Sequence, residues 1–441
     1  MKKIIFLWCL LLSIVCTSCS DSDYVNCIPA ESSLLLSMDP VEMTGTGSKT
    51  VLKTLLHVSD LGKAGIDLTS KIYLFEDGQG NLGFCAKMSD ADKLADVLES
   101  RKLKISSRQD NRYVLLPNNW LMGWNDCSLM IMGPILPAAQ SEMMSLMQRY
   151  FKQDDEEGIQ ASPMFAKLDS IGGAMSLVCQ VSALPQQIVA PLTLGAPANT
   201  EPSQVWLAAQ LKTSDGIFWM NGQTFSFNRK INDAIRKSDK VFRPIHGDYI
   251  QSMSSTDVIG LFLNVDGRDF IKLIQQNRGV QAMLTAINAA IDMDNIIRGI
   301  DGDLYIVTPS IDENKFQLQM AAKMQRLDWL ADVDYWKQSV PKGGRIGDWG
   351  RDCYYYTSDK TTYYFGVNAS KEYMSGSNEQ KALASVHPAS TPLSSELTNK
   401  IKGQHMAMVI NMSAFSGDKA EAVTSMLRPL FGNVNTILYT R

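Results

Sequence analysis

The stretch "AKMSDADKLADV" at residues 86–97 has a close copy, "AKMQRLDWLADV", at residues 322–333 of the same chain. Both copies begin with Ala-Lys-Met and end with Leu-Ala-Asp-Val, and Asp92 and Asp328 occupy the same place between those ends. One match of this length can arise by chance. Whether the chain is duplicated therefore depends on the residues on either side of the two copies.

Further matching blocks occur in the same order along the chain. They are "LLLSMDP" (34–40) with "LFLNVDG" (261–267), "GIDLTSKIYLF" (65–75) with "GIDGDLYIV" (299–307), "MSLVCQVSAL" (175–184) with "MAMVINMSAF" (406–415), and "APLTLG" (190–195) with "RPLFG" (428–432). Their offsets run from 227 residues (261 minus 34) to 238 residues (428 minus 190). Solenoids and propellers repeat at roughly 20 to 50 residues. The pattern therefore predicts two tandem homologous units.

Within each unit, strand-like and helix-like periodicities alternate. In the first unit the apolar run 34–38 precedes a helical pattern at 49–58, strands near 71–75 and 82–87, and a helix at 91–100 that Ser89 or Asp90 would cap. The second unit repeats this order, with a longer helix at 270–291. The pattern predicts an α+β fold in which each unit is an antiparallel sheet covered by helices, with a ferredoxin-like β-α-β-β-α-β start.

The domain boundaries follow from this repeat. We expect a signal peptide at 1–18, a lipidated tether at 19–29, the first unit at 30–228, a connector at 229–252 and the second unit at 253–441. Asn221-Gly222, between two apolar runs, predicts a two-residue hairpin turn that closes the first unit. The connector is rich in Lys and Arg, which favours a solvated linking helix and leaves contact with anionic lipid or glycan as the alternative.

The N-terminus predicts export and lipidation. Lys2 and Lys3 precede about a dozen mostly apolar residues, which is typical of a signal peptide and is shorter than the roughly 20 residues of a membrane-spanning helix. The lipoprotein signal peptidase cuts after a small residue and before the acylated cysteine, and only Cys19, preceded by Thr17 and Ser18, meets that need. The segment resembles a bacterial lipobox, from which it departs by placing Cys16 where an aliphatic residue is usual. An ordinary secreted protein that is cleaved nearby is the alternative.

Two acids after Cys19 carry a second resemblance. Asp21 and Asp23 resemble the acidic surface-export tract of Bacteroidetes lipoproteins, and the mature chain is similar to an outer-membrane lipoprotein family of unknown function from that phylum. The resemblance implies a protein held at the outer membrane by lipid on Cys19. It favours the cell surface slightly over the periplasmic leaflet.

Composition excludes some functions and leaves others open. The 441 residues carry a formal charge of −4, and without a large basic excess nucleic acid is not an expected partner. The cysteines that follow Cys19 are widely spread and odd in number, so a disulfide framework is not indicated. They are Cys27, Cys85, Cys127, Cys179 and Cys353. The apolar neighbours of these cysteines favour buried thiols with a structural role, and a role in redox chemistry or metal binding is the alternative.

Catalytic and metal motifs are not found in the sequence. The histidines lack zinc-protease spacing, and neither a G-x-S-x-G elbow nor a glycine-rich phosphate loop is present. Two acidic groups, 154–157 and Asp292, Asp294, Asp301 and Asp303, depart from calcium-loop spacing and are interpreted as solvated loops. We therefore expect no metal and no cofactor.

The best binding candidate is the aromatic hairpin "CYYYTSDKTTYYFGV" at 353–367. Alternation along a strand places Tyr354 and Tyr356 on one face and Tyr355 on the other, and likewise separates Tyr363 from Tyr364. Flat rings with hydroxyl groups suit sugars and protein partners. Burial of the hairpin between two layers is the alternative. In the first unit, Trp120 and Trp124 occupy the corresponding region and fit either interpretation.

These observations predict a non-catalytic binding or assembly component of the cell envelope, and they favour a protein that is not an enzyme. Its expected partners are the membrane, through the lipid on Cys19, and an envelope protein or glycan. An envelope hydrolase acting on glycan or peptide with a carboxylate pair is one alternative, because the fold sets the separation of such pairs. A structural spacer is another.

Overall fold

The structure is a computed structural model that describes residues 22–43, 62–281, 288, 290–310, 318–359, 361–414 and 433–441. The predicted signal peptide, Cys19 and the predicted helix at 49–58 lie outside the described residues. In the described part of the chain, every helix is too short or too polar to cross a membrane. The protein is a mixed α/β protein with a large sheet.

The chain divides into two compact units, Met1–Val178 and Cys179–Arg441. This division precedes the predicted boundary at 228–229. Residues 206–225 belong to the second unit because their second strand pairs with the last strand of the chain. The predicted boundaries of the repeat itself stay a prediction.

The first unit is built on an antiparallel sheet. Its strands are β1 (Leu34–Met38), β2 (Ile72–Glu76), β3 (Leu82–Lys87), β4 (Ser106–Arg108), β5 (Asn111–Leu116), β6 (Trp120–Trp124), β7 (Ser128–Gly133) and β8 (Met175–Gln180). Their order across the sheet is β8-β1-β2-β3-β7-β6-β5-β4. The strands predicted near 71–75 and 82–87 are confirmed as β2 and β3, and the apolar run 34–38 forms β1, whereas β4 and β6 were not expected.

The described residues of this unit include three α-helices, α1 (Ala91–Ser100), α2 (Gln140–Tyr150) and α3 (Pro163–Asp169). Helix α1 is confirmed as predicted, and the carboxylate of Asp90 caps it by accepting the Lys93 N–H at 3.1 Å. Its Leu94 and Leu98 are fully buried, as helical spacing requires.

The second unit contains the remaining strands, β9 (Trp206–Ser214), β10 (Ile217–Phe225), β11 (Ile259–Asp266), β12 (Ile300–Thr308), β13 (Gln319–Met324), β14 (Arg345–Gly350), β15 (Cys353–Thr357), β16 (Thr362–Val367), β17 (Glu372–Gly376), β18 (Met406–Asn411) and β19 (Thr436–Thr440). Their order is β9-β10-β19-β18-β11-β12-β13-β17-β16-β15-β14. The pair β10–β19 is parallel and the other pairs in this order are antiparallel.

Helices cover both faces of the second sheet. They are α4 (Gln186–Leu192), α5 (Arg229–Ser238), α6 (Gly267–Gln276), α7 (Met293–Arg298), α8 (Val333–Ser339), α9 (Glu379–Ala384) and α10 (Ser395–Ile401). Tyr305 of β12 packs in a core cluster with Leu397 and Ile401 of α10, whereas its neighbour Leu304 faces α6 and α7 on the opposite side. The predicted helix at 270–291 has its first part in α6, which ends at Gln276.

The ferredoxin-like start is not confirmed. In the first unit β1 lies directly beside β2 in antiparallel register, with Leu36 opposite Leu74, and β2 lies directly beside β3. Strands β1, β2 and β3 are thus neighbours in the sheet as they are along the chain, whereas β3 pairs next with β7. A ferredoxin-like start would instead separate the first two strands.

The predicted hairpin turn at Asn221-Gly222 was wrong. Both residues lie inside β10, which runs without interruption from Ile217 to Phe225. The turn is formed by Asp215 and Gly216, whose φ angles of 48° and 79° suit a two-residue turn that needs positive φ at both positions. A Cβ on Gly222 would lie 2.1 Å from the Ala208 carbonyl oxygen. Glycine is therefore required at this position because β9 and β10 approach each other closely there.

Candidate functional site

The aromatic hairpin forms as predicted, with β15 and β16 in antiparallel register. Tyr354 is opposite Phe365, Tyr355 is opposite Tyr364, and Tyr356 is opposite Tyr363. Directly opposed residues share a face. The expected separation of Tyr354 and Tyr356 from Tyr355 is therefore confirmed, and the hairpin has one face for each set.

One face of the hairpin is buried in the hydrophobic core. Phe365 is fully buried and Tyr363 nearly so, and Trp329 packs against Phe365 with ring centroids 6.2 Å apart. The hydroxyls of Tyr363 and Tyr373 lie 3.0 Å apart, and burial raises the pKa of Tyr363. This corrects the expectation for Tyr363, which stabilises the unit from within. Tyr354 and Tyr356 are half-buried on the same face.

The opposite face carries a half-buried aromatic strip formed by Trp349, Tyr355 and Tyr364. The rings of Tyr355 and Tyr364 stack at 5.5 Å with an angle of 27°, and Trp349 lies 6.0 Å from Tyr364. A Cβ on Gly347 would lie 2.6 Å from the Tyr355 ring, so that ring lies flat across β14. The predicted Tyr355 and Tyr364 thus come together. Trp349 was missed because its strand was not recognised.

The tryptophans of the first unit occupy different environments. Trp124 is completely buried, and its Nε1–H donates to the Ala91 carbonyl at 3.2 Å, so it is a core residue that anchors α1. This corrects the expectation that Trp124 could bind a ligand at the surface. Trp120 is half-buried and contacts Phe84 with ring centroids 6.3 Å apart.

An apolar cavity of about 340 Å³ lies inside the second unit, between the sheet and helices α4, α6 and α7. Its lining is Ala190, Pro191, Leu194, Ile259, Leu261, Phe270, Ile274, Gly279, Val280, Met293, Ile297, Leu304, Ile306, Thr308, Leu318 and Met320. Among the lining residues that the structure describes, Thr308 alone has a polar side chain. An apolar lining of this kind favours apolar ligands. The sequence offered no signal for it, since its lining resembles any core.

The sheet wall of this cavity consists of opposed pairs on β11 and β12. Ile259 is opposite Thr308, and Leu261 is opposite Ile306. All four are only half-buried, although β11 and β12 are interior strands of the sheet. Interior strands normally bury such side chains completely. An aliphatic wall is therefore left available to a ligand.

A second cavity, of about 580 Å³, lies in the first unit and is polar. It is lined by Asp23, Asn26, Cys27, Asn125, Cys127, Ser128, Phe151, Gln153, Asp154, Asp155 and Glu156. The Cys27 Sγ at its edge is 3.4 Å from the fully buried Cys85 Sγ. Burial, and secondarily Cys27, raises the pKa of Cys85. The sequence gave no indication that these thiols meet.

Side chains in the two acidic groups, 154–157 and 292–303, accept local hydrogen bonds or form ion pairs. Asp154 accepts the backbone N–H groups of Glu156 and Glu157, and Asp155 accepts the side-chain amide of Asn26 at 2.6 Å. In the later group, Asp292 caps α7 and Asp301 pairs with Arg243 at 2.8 Å. Across the part of the chain that is described, no set of three or more His, Cys, Asp or Glu side chains is arranged to hold a metal ion.

Comparisons with known proteins are sparse. The model of the family described as "Domain of unknown function (DUF4836)" matches residues 36–420. No curated protein matches the chain. Crystal form IV of TP0453 is 14% identical over 43% of this chain and 70% of that chain, with a TM-score of 0.27. Crystal form I is 13% identical over 49% and 84%, with a TM-score of 0.29. Likenesses this weak carry no argument about fold or function.

Proposed function

Because this chain belongs to the DUF4836 family of unknown function, we propose from its own residues that it is a non-catalytic binding protein of the cell envelope. The observation that carries the proposal is the apolar cavity of the second unit, with its aliphatic wall on β11 and β12. The ligand class that fits this lining is an acyl chain or another apolar molecule of similar width.

The volume of the cavity and the free energy of burying methylene groups are consistent with such a ligand. A cavity of about 340 Å³ falls within the roughly 300 to 1,000 Å³ of small-molecule pockets. Burial of ten methylene groups contributes about 8 kcal/mol at about 0.8 kcal/mol each, and immobilisation of the ligand offsets several kcal/mol of that. The remaining gain of about 4 to 5 kcal/mol corresponds to a dissociation constant of roughly 0.2 to 1 mM.

The location belongs to the same proposal. Cys19 would carry the lipid and hold the protein at the outer membrane of a Bacteroidetes cell, at the surface slightly more than in the periplasmic leaflet. The support is the sequence around residues 2–23. Two or more acyl chains on one cysteine give stable anchoring. Metabolic labelling with an alkyne fatty acid tests this, because Cys19→Ala should abolish the label.

We also propose that the two units are duplicated copies. The support, besides the repeated sequence blocks, is the strand order within each unit. Adding ten to each strand number of β8-β1-β2-β3-β7-β6-β5-β4 gives β18-β11-β12-β13-β17-β16-β15-β14, which is the order found in the second unit. A crystal structure of the protein in which these strands superpose pairwise would support the duplication.

The decisive experiment measures ligand binding to the purified protein. A dansyl-labelled fatty acid should bind with enhanced fluorescence and be displaced by unlabelled palmitate. Ile306→Trp places a large ring on the aliphatic wall and should weaken binding at least tenfold. Leu115→Trp, at an exposed aliphatic strand position of the first unit, is the matched control and should leave binding unchanged. Equal binding by both variants would remove the cavity as the site.

A second candidate function rests on the aromatic strip. Trp349, Tyr355 and Tyr364 offer stacked, half-buried rings at the edge of the sheet, a surface that suits an envelope glycan or protein partner. Proximity crosslinking in the native cell, with Cys19→Ala as control, should recover a partner that Tyr355→Ala loses. Turnover of an envelope polymer by the purified protein would favour the hydrolase alternative instead. Absence of both ligand and partner would favour the spacer.

A further inference from the structure

Two cysteines of the first unit meet, with a third on the same cavity. Cys27 ends a short 3₁₀ helix, Asp23–Cys27, and Cys85 lies in β3, where the two Sγ atoms are 3.4 Å apart. Cys127 lies in the turn before β7 and lines the polar cavity together with Cys27. In the sequence these three residues are far apart, and the fold alone brings them together.

The thiols compete for one acceptor. The Cys27 and Cys85 thiols lie 3.1 and 3.3 Å from the Tyr24 carbonyl oxygen, and the Ser128 hydroxyl donates to the same oxygen at 3.2 Å. A carbonyl oxygen has two lone pairs, so it cannot accept three donors well. Loss of the two S–H protons would leave Ser128 as the single donor of the three.

The two thiols differ in their access to the polar cavity. Cys85 is completely buried, and Cys27 is 3% exposed but borders the cavity of about 580 Å³, which the half-buried Cys127 also lines. Of the two paired sulfurs, a disulfide reagent that enters this cavity therefore meets that of Cys27 first. The Cys85 sulfur lies behind it at 3.4 Å, and a disulfide requires the two sulfurs to approach to roughly 2.0 Å.

We propose that Cys27 and Cys85 are a disulfide-forming pair that opens on the polar cavity of the first unit. The Cys27 thiolate attacks a small-molecule or protein disulfide, one thiolate leaves, and a mixed disulfide forms on Cys27. Cys85 then attacks the Cys27 sulfur and expels the second thiolate. The two cysteine protons pass to the departing thiolates. The pair is oxidised by two electrons, and the external disulfide is reduced to two thiols.

The bond would fasten the segment 24–28 to the sheet. Residues 24–28 are buried against β3 and β7, and the linkage would close a loop of 58 residues. The inference relies on the proposed envelope location only for the oxidising conditions in the cell. The reaction itself can be tested in solution, independently of the anchor and of the cavity in the second unit.

The experiment uses the full purified chain, first reduced and then incubated folded with oxidised glutathione. Intact mass should fall by two hydrogen atoms, and peptide mapping should recover Cys27 linked to Cys85. The melting temperature should rise by several degrees, since cross-links that close long loops stabilise most. Cys353, a buried thiol of the second unit, is the internal control and should react only after unfolding.

Cysteine variants test which residues form the cross-link. Cys27→Ala and Cys85→Ala should each lose the cross-link and the rise in melting temperature, whereas Cys127→Ala should keep both. If Cys85→Ala does not fold, the comparison of Cys27→Ala with Cys127→Ala carries the test. A cross-link that includes Cys127, a glutathione adduct on Cys127 alone, or no reaction before unfolding would each overturn the proposal.

Discussion

The carboxylate of Asp303 accepts the backbone N–H of Gly247 at 2.6 Å. The same carboxylate accepts the N–H groups of His246 and Asp248 at 3.0 Å each, and Asp303 is almost completely buried. One side chain of β12 thus holds the turn at residues 246–248 against the second sheet. The interpretation of this acid as part of a solvated loop was wrong for Asp303, because it lies buried in β12 and has a structural role.

This arrangement predicts a large effect of Asp303→Ala. Three backbone N–H groups would lose a charged acceptor, and unpaired buried donors are costly. The free energy of unfolding, measured with urea, should fall by about 3 kcal/mol. Asp294→Ala removes a half-buried acid of the same sequence group, which accepts only the side-chain amides of Gln275 and Asn288 among the described residues, and should change it by about 1 kcal/mol or less. Similar losses for both would contradict the anchoring role.

Tyr355→Ala tests the aromatic strip. The variant removes the ring that stacks on Tyr364 and covers Gly347. Stability should fall by at least about 1 kcal/mol, because an aromatic pair contributes that much in addition to the burial of the ring, which is also lost. Recovery of a crosslinked partner should be lost as well. Tyr335→Ala, at a tyrosine that is 69% exposed outside the strip, should keep both properties.

Gly222→Ala tests the role assigned to glycine within β10. The added Cβ would lie 2.1 Å from the Ala208 carbonyl oxygen on β9, so the two strands must move apart. Unfolding free energy should drop by about 3 kcal/mol, at the upper end of overpacking costs. Gly343→Ala has no atom within 4 Å of its new Cβ and carries only the strain of φ +89°, about 1 kcal/mol. The reverse order of the two losses would contradict this role.

The cap of α6 predicts a pH dependence. Hydrogen bonds from the Arg268 side chain lower the pKa of Asp266 to about 2, from an ordinary value of 3.8. Because the folded-state pKa is lower, the cap contributes fully above pH 3.8 and its contribution disappears as pH falls toward 2. The Arg268–Asp266 pair is exposed to solvent, so the effect is about 0.5 kcal/mol.

Urea unfolding at pH 7 and pH 3 measures this difference. The wild-type protein should lose more stability than Asp266→Asn between these two pH values, because the amide keeps the cap but does not titrate. An equal loss in both proteins would show that the Asp266 carboxylate does not contribute.

The two copies of the repeated stretch show how much of the local structure can be predicted from local sequence. In the first copy, Asp90 caps a full α-helix, as predicted. In the second copy Arg326 stands at the matching place and cannot accept the backbone N–H, and the stretch Asp328–Asp332 forms a 3₁₀ helix without a side-chain cap. Trp329 of that stretch is then buried against Phe365 and Tyr373. The same residue pattern thus produces different helices where the capping residue differs.

By itself the sequence determined the positions of many strands and of α1, and the two faces of the aromatic hairpin. These features depend on caps and periodicities that act within a few residues of one another. Tertiary structure alone decided which hairpin face is covered, that Gly222 lies within a strand, where the apolar cavity lies, and that Cys27 meets Cys85. Each of these depends on pairings such as β3–β7 and β10–β19, which join residues far apart in the chain. Long-range strand partners are selected by the packing of whole layers, and no local pattern encodes that choice.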